Sequence, residues 1–254
     1  MPPRRHDRDA GGPAELLAAK AELRDAVWAS MRAARVARFP GAEHRIPNFV
    51  GAERAADRLR ATEEWRRANT VKSNPDSPQW PVRQRALEDG KTLYMAVPRL
   101  AGDKPFFLLD PAALTDTPRR ATSIKAAARL GRPVDLDDLA PVDLVVTGCV
   151  AVAVDGARLG KGGGFSDLEL ALAAEAGLVS ARTVVATTVH ELQVLGAREI
   201  PTVAHDVRVD LVVTPERIIH CARRRRARPS VVWSELTEEK IAAVPLLARL
   251  AGRR

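Results

Sequence analysis

Apolar residues first recur at helical spacing at Leu16, Leu23, Val27 and Met31, which predicts a helix over residues 14–36. Ile46-Pro47-Asn48-Phe49 breaks that pattern, and residues 51–69, carrying Leu59 and Trp65, predict a second helix. Between Lys72 and Pro81, prolines at 75, 78 and 81 argue against regular structure. A short helix over 82–89 ended by Gly90 follows, then strands at 92–97 and 106–109. Residues 111–141 are rich in Asp and Pro and lack a period; loops of that length tend to be functional or mobile.

Beyond residue 141 the apolar runs become short and unbroken, at 142–147, 183–189 and 209–213, as expected of buried strands. A helix-forming stretch, Leu168 to Ala176, lies between the first two. Residues 217–222 and 231–234 predict a closing hairpin, and Thr237-Glu238-Glu239-Lys240 opens a last helix. Such alternation predicts an α/β fold of three layers, a mostly parallel central sheet flanked by helices, with a short C-terminal β-hairpin. One domain over 14–254 is expected, after a disordered tail at 1–13.

Composition narrows the classes. No apolar run approaches a membrane span, and the charged N-terminal residues have no apolar stretch behind them, so neither membrane insertion nor secretion is expected. Two cysteines, Cys149 and Cys221, without CxxC spacing argue against a disulfide framework or zinc knuckle and for the cytoplasm. The net charge of +8 invites a nucleic-acid reading, but much of the excess sits in Arg223-Arg224-Arg225-Arg226, Arg228 and the N-terminal tail. With aromatic residues at 4% there is little to stack bases on, so the arginine run reads as a solvated turn and a specific nucleic-acid partner is not expected. Nothing in the pattern fixes an oligomeric state.

The candidate chemistry concentrates in Arg158-Leu159-Gly160-Lys161-Gly162-Gly163-Gly164-Phe165-Ser166-Asp167. A glycine-rich backbone that leads into a helix N-terminus can wrap a phosphate, and Arg158 and Lys161 add positive charge. Asp167 closes the run as a possible magnesium ligand, and Asp206, ahead of the strand at 209–213, could face it. The loop matches neither the P-loop nor the dinucleotide fingerprint, and a ligand-free glycine turn is the plain alternative. Lys20 and Arg24, one turn apart, could reach one phosphate together or form a solvated face. His190 and His205 have no evident nucleophile beside them and read as structural or capping residues.

Taken in order, Lys20-x-x-Leu-Arg24, Val142-Asp143-Leu144-Val145-Val146, Arg158-Leu-Gly-x-Gly-x-Gly-x-x-Asp167, His205-Asp206-x-x-Val209-Asp210 and Thr214 resemble the 5-formyltetrahydrofolate cyclo-ligases (methenyltetrahydrofolate synthetases). Ile46-Pro47-Asn48-Phe49, Val71-Lys72-x-Asn74-Pro75-Asp76-x-Pro78-Gln79, Pro98-Arg99-Leu100, Gly148-x-Val150-Ala151-Val152 and Gly160-Lys161-Gly162-x-Gly164-Phe165-x-Asp167-Leu168-Glu169 are closer to the branch called methenyltetrahydrofolate synthetase domain-containing proteins. The resemblance runs from about residue 14 to 250. It implies a fold like the NagB, RpiA and CoA-transferase group. It also implies a reaction in which ATP phosphorylates the formyl oxygen of 5-formyltetrahydrofolate and N10 closes the 5,10-methenyl bridge. Arg158, Lys161 and Asp167 would then be catalytic. Lys20, Arg24, Arg158, Gly160, Lys161, Gly162, Gly163 and Gly164 would hold ATP, and Asp167 and Asp206 would hold Mg2+. Asp76, Phe165 and Ser166 would face a reduced folate.

Departures from the resemblance bear on substrate. Active cyclo-ligases usually carry Gly-Lys-Gly-Tyr-Tyr-Asp where this chain has Gly162-Gly163-Gly164-Phe165-Ser166-Asp167, so a loop cation and two phenol hydroxyls are absent. Asp76 stands where many relatives have Glu, and Gly148-Cys149 replaces Pro-Gly. The alternatives are an ATP-dependent paralogue acting on another N-formyl or amide substrate, folate- or thiamine-related, and a non-catalytic nucleotide-binding regulatory protein.

Overall fold

Helix α1 (Pro13–Ala33) opens with Pro13 in its first turn, where a missing N–H costs nothing, and buries Val27, Trp28 and Met31 on one stripe. The computed structural model describes residues 12–102, 104–203, 206–221 and 229–252. The expected tail therefore lies outside the described residues up to residue 11, as do His205 and the arginine run. The expected second helix is two, α2 (Ala52–Arg60) and α3 (Glu63–Arg67). Thr62 makes the break: its hydroxyl donates to the Leu59 carbonyl at 2.7 Å and accepts from Trp65 N at 3.2 Å, closing one helix and capping the next.

Strand β1 (Thr70–Ser73) occupies the start of the stretch expected to be irregular. Its Lys72 and Ser73 are buried polar residues, so it carries no strand-like apolar run. The prolines that follow start helices rather than prevent them: α4 (Trp80–Glu88) has Pro81 in its first turn. Then come β2 (Thr92–Ala96) and β3 (Phe106–Leu109). The 111–141 segment is ordered, with α5 (Pro118–Ala121), α6 (Ile124–Leu130) and β4 (Arg132–Val134), elements too short for periodicity to reveal. The remaining elements are β5 (Leu144–Val146), β6 (Ala151–Ala153), β7 (Arg158–Leu159), α7 (Phe165–Glu175), β8 (Val184–Thr188), β9 (Val194–Leu195), β10 (Leu211–Val213), β11 (Ile218–His220), α8 (Glu238–Ala243) and α9 (Pro245–Ala251). The C-terminal hairpin pairs β10 with β11, not 217–222 with 231–234; Trp233–Glu235 is a 3-10 turn.

The main sheet has eight strands in the order β11-β10-β8-β5-β1-β2-β3-β4. Neighbours from β10 to β2 run parallel, and both edges are antiparallel. Alternate side chains enter opposite cores. Leu93, Met95, Leu144, Val146, Leu211 and Val213 pack with α2 to α6. Tyr94, Ala96, Val145 and Val212 pack with α7 and α9. Each fully buried aliphatic side chain contributes roughly 1.5–3 kcal/mol. A small sheet, β7-β6-β9, packs against α1 through Ala151, Ala153 and Leu159.

From β1 the chain winds outward through β2, then returns to β5 on the other side of β1. The crevice between β1 and β5 is thus a topological switch point, where open α/β sheets place ligands beyond the strands' carboxyl ends. Asn74 and Asp76 follow β1 there, and Gly148 follows β5. Among the described residues no helix is long and apolar enough to cross a membrane.

Candidate active site

The glycine loop runs from β7 to the N-terminus of α7. Gly164 caps that helix with φ 66°, a left-handed conformation that a side chain would strain, and Gly162 lies at φ 108°. The loop separates two cavities. One, of about 260 Å³, is lined by Asn74, Asp76, Arg99, Gly148, Lys161 and Phe165, among others. The other, of about 220 Å³, is lined by Lys20, Arg24, Gly162, Asp206 and Lys240, among others. Arg158, Gly160, Gly164 and Asp167 line both.

On the second side, α1 presents its two cations as its spacing allows. Lys20 Nζ lies 2.7 Å from Asp206 Oδ2, and Arg24 Nε donates to the Gly160 carbonyl at 2.7 Å. Burial pulls the Arg24 guanidinium down, with Asp25 opposing. Arg158 is the hinge of the wall: buried, it donates from Nε to the Val207 carbonyl at 3.1 Å and from Nη2 to Asp167 Oδ1. Asp167 Oδ1 also accepts from Val207 N at 3.2 Å, and Asp206 Oδ2 from Val203 N at 2.9 Å. Among the described residues no group of three or more His, Cys, Asp and Glu side chains gathers to hold a metal. Two carboxylates on one cavity wall fit a magnesium whose other ligands are phosphate oxygens and water, not an all-protein cage.

The first side is built on a buried polar network whose Lys72, Asn74 and Glu169 sequence reasoning did not assign to the site, and which reaches the expected Ser166. Lys72 Nζ donates to Glu169 Oε2, and Asn74 Nδ2 reaches Glu169 Oε2 at 3.2 Å and Ser166 Oγ at 2.8 Å. These residues appear in the motifs above; their signal was polar residues inside a strand and an acid inside an apolar helix face. Arg83, wholly buried, fastens the turn after β1 by donating to the Asn74 and Asp76 carbonyls at 2.6 and 3.0 Å. Burial pushes its guanidinium down to about 10, still charged at neutral pH. Burial also pushes the Asp76 carboxyl up, Lys161 opposing. Both cysteine thiols are pushed up to about 11 by burial, so neither is a thiolate at neutral pH. His190 caps a 3-10 turn, its Nδ1 accepting from Leu192 N at 3.2 Å.

Gly148 lets the backbone approach this network. A Cβ there would lie 2.8 Å from Ile46 Cγ2, 2.9 Å from Gln79 Oε1 and 3.1 Å from Asp76 Oδ2. Gly148→Ala is expected to cost roughly 1–3 kcal/mol on chemical denaturation and, if the Asp76 cavity takes the substrate, to raise KM by displacing Asp76. Unchanged stability and KM would remove this packing argument.

A sequence model of the 5-formyltetrahydrofolate cyclo-ligase family matches residues 16–215. The chain is 38% identical over 233 residues to the methenyltetrahydrofolate synthase domain-containing protein of Bos taurus, covering 91% of this chain and 61% of that one. It is 35% identical over 236 residues to the Homo sapiens protein of the same name, covering 92% and 62%. The chain thus spans about three-fifths of the length of these curated relatives. The NMR structure of Aquifex aeolicus 5,10-methenyltetrahydrofolate synthetase has a similar fold, with a TM-score of 0.51 at 20% identity over 85% of this chain and 99% of that one. The three-layer sheet and the matched 200-residue stretch lead to one conclusion: the chain belongs to the 5-formyltetrahydrofolate cyclo-ligase family.

Proposed function

We propose that the chain is a cytoplasmic ligase that uses ATP and Mg2+ to convert 5-formyltetrahydrofolate to 5,10-methenyltetrahydrofolate. The observation that carries this reading is the shared wall: Arg158, Gly160, Gly164 and Asp167 face a cation-lined cavity on one side and the Asp76–Phe165 cavity on the other. A nucleotide in the cation-lined cavity and a folate in the Asp76–Phe165 cavity would bring γ-phosphate and formyl oxygen together across the loop.

The formyl oxygen takes the γ-phosphoryl group and ADP leaves. N10 then attacks the activated carbon, loses its proton, and the C–O bond breaks to release phosphate. Because phosphorylation makes the leaving group, the protein chiefly positions and neutralises charge. Lys20 and Arg24 hold the polyphosphate, and Arg158, Lys161 and the glycine-loop amides surround the transferring group. Asp167 and Asp206 would hold Mg2+, which neutralises phosphate charge when bound there. Asp76 accepts from the pterin ring, and Phe165 offers it an aromatic face.

The assay is growth of methenyl absorbance from 5-formyltetrahydrofolate with ATP and magnesium. Product that needs ATP supports the reading; no product despite ATP binding shifts it to another N-formyl or amide substrate. Ser166, turned toward Asn74 and Thr147 instead of presenting a phenol, is the observation behind that second reading.

Asp76 gives a test that separates function from folding. Its carboxyl is raised above the ordinary 3.8 by burial, so its contribution to stability is fully present below 3.8 and is lost as pH rises through the raised value. Asp76→Asn is therefore expected to be the more stable protein at neutral pH, with the difference vanishing in acid. The same change should raise KM for the folate about ten- to a hundredfold, from loss of a carboxyl oxygen as acceptor. Urea unfolding from about pH 3 to 8 checks the first claim, and steady-state kinetics the second. A variant less stable at neutral pH contradicts the assignment of Asp76 as a strained binding residue.

A further inference from the structure

Lys240 lies in the first turn of α8, beyond the residues matched by the family. Thr237 caps that turn, accepting from Lys240 N at 3.2 Å. From there the side chain reaches the glycine loop: Nζ donates to the Gly163 carbonyl at 2.9 Å and lies 5.2 Å from the centroid of the Phe165 ring. A Cβ on Gly164 would stand only 3.1 Å from it. It lines the same cavity as Lys20, Arg24 and Arg158.

The loop itself explains why a cation arrives from elsewhere. Gly163 is not in the left-handed region, so its backbone would admit a side chain. What stands in the way is Phe165, whose Cδ2 would be 2.9 Å from a Cβ at 163. The ring fills the place of a loop side chain, and Lys240 sits over its face. A neutral carbonyl is a modest partner for an ammonium, whereas a phosphate oxygen gives a charge-assisted bond. Burial already disfavours the charged form of Lys240.

We infer that Lys240 is the cation this chain delivers from α8 to the terminal phosphates of a bound nucleoside triphosphate, at the loop position where Gly163 supplies none. The inference rests on the nucleotide reading above. The test uses the full chain with Lys240→Met and Lys240→Arg, measuring calorimetric Kd for ATP and for AMP in magnesium, then turnover. Lys240→Met is expected to weaken ATP by about ten- to a hundredfold and leave AMP within about twofold, while Lys240→Arg stays near wild type for both. ATP affinity and turnover unchanged in Lys240→Met would overturn the inference. Equal losses for ATP and AMP would also overturn it, making the lysine a structural clasp. Wild-type protein that binds no ATP would overturn the nucleotide reading itself, and this inference with it.

Discussion

Arg158→Met is expected to lower ATP-dependent turnover by about a thousandfold or more and to destabilise the fold by roughly 2–3 kcal/mol. The two effects have one origin. Arg158 has 2% of its side chain exposed, and its guanidinium bridges the Val207 carbonyl and Asp167 across the wall shared by both cavities. Removing it takes a fixed cation from the proposed position of phosphoryl transfer, where preorganised charge is worth most. It also leaves Asp167 without its ion-pair partner; because Asp167 is 27% exposed, that cost falls below the range for fully buried pairs. Arg158→Lys should restore much of the stability but little turnover, since an ammonium cannot make the two-point contact. Kinetics and urea denaturation on the same samples check both parts. Turnover within tenfold of wild type would show that the shared wall is not where the phosphoryl group passes.

Much of this arrangement is legible in the amino-acid order because it is local. The unbroken apolar runs of β5, β8 and β10 read as buried strands. The glycines before Leu168 placed a loop at a helix N-terminus, where α7 begins. Lys20 and Arg24 share a face because four residues make about one turn, and the structure brings that face to the loop.

What could not be read depends on contacts far along the chain. β1 is a central strand, yet its buried Lys72 reads as turn because its partner Glu169 lies in α7, 97 residues away. The hairpin forms from a different pair than the pattern predicts: β10 finds β11 within a few residues, so no strand is needed at 231–234. Lys240 looked like any helix-opening lysine, since its partner at Gly163 is 77 residues distant. Local propensity reports elements; it does not report which polar residues a fold has buried together.

Lys72 and Glu169 offer the sharpest separation of folding from function. Each side chain is 4% exposed, so each charge depends on the other, with the Asn74 amide as a further partner to both. Glu169→Leu alone should cost about 3–5 kcal/mol by stranding a buried ammonium, and Lys72→Met alone a similar amount by stranding the carboxylate. Together the two apolar replacements should recover most of that loss, because buried pairs rarely outperform well-packed apolar groups of similar volume. Binding should not recover. Glu169 lines the Asp76 cavity and positions Asn74, whose amide holds Ser166 at the start of α7. The double variant is thus expected to unfold near the wild-type urea midpoint while its KM for the folate stays raised about tenfold or more. Recovery of both would make the pair a packing device. Recovery of stability alone would mean that the polar network is retained for the substrate, the same trade expected at Asp76 in the same cavity.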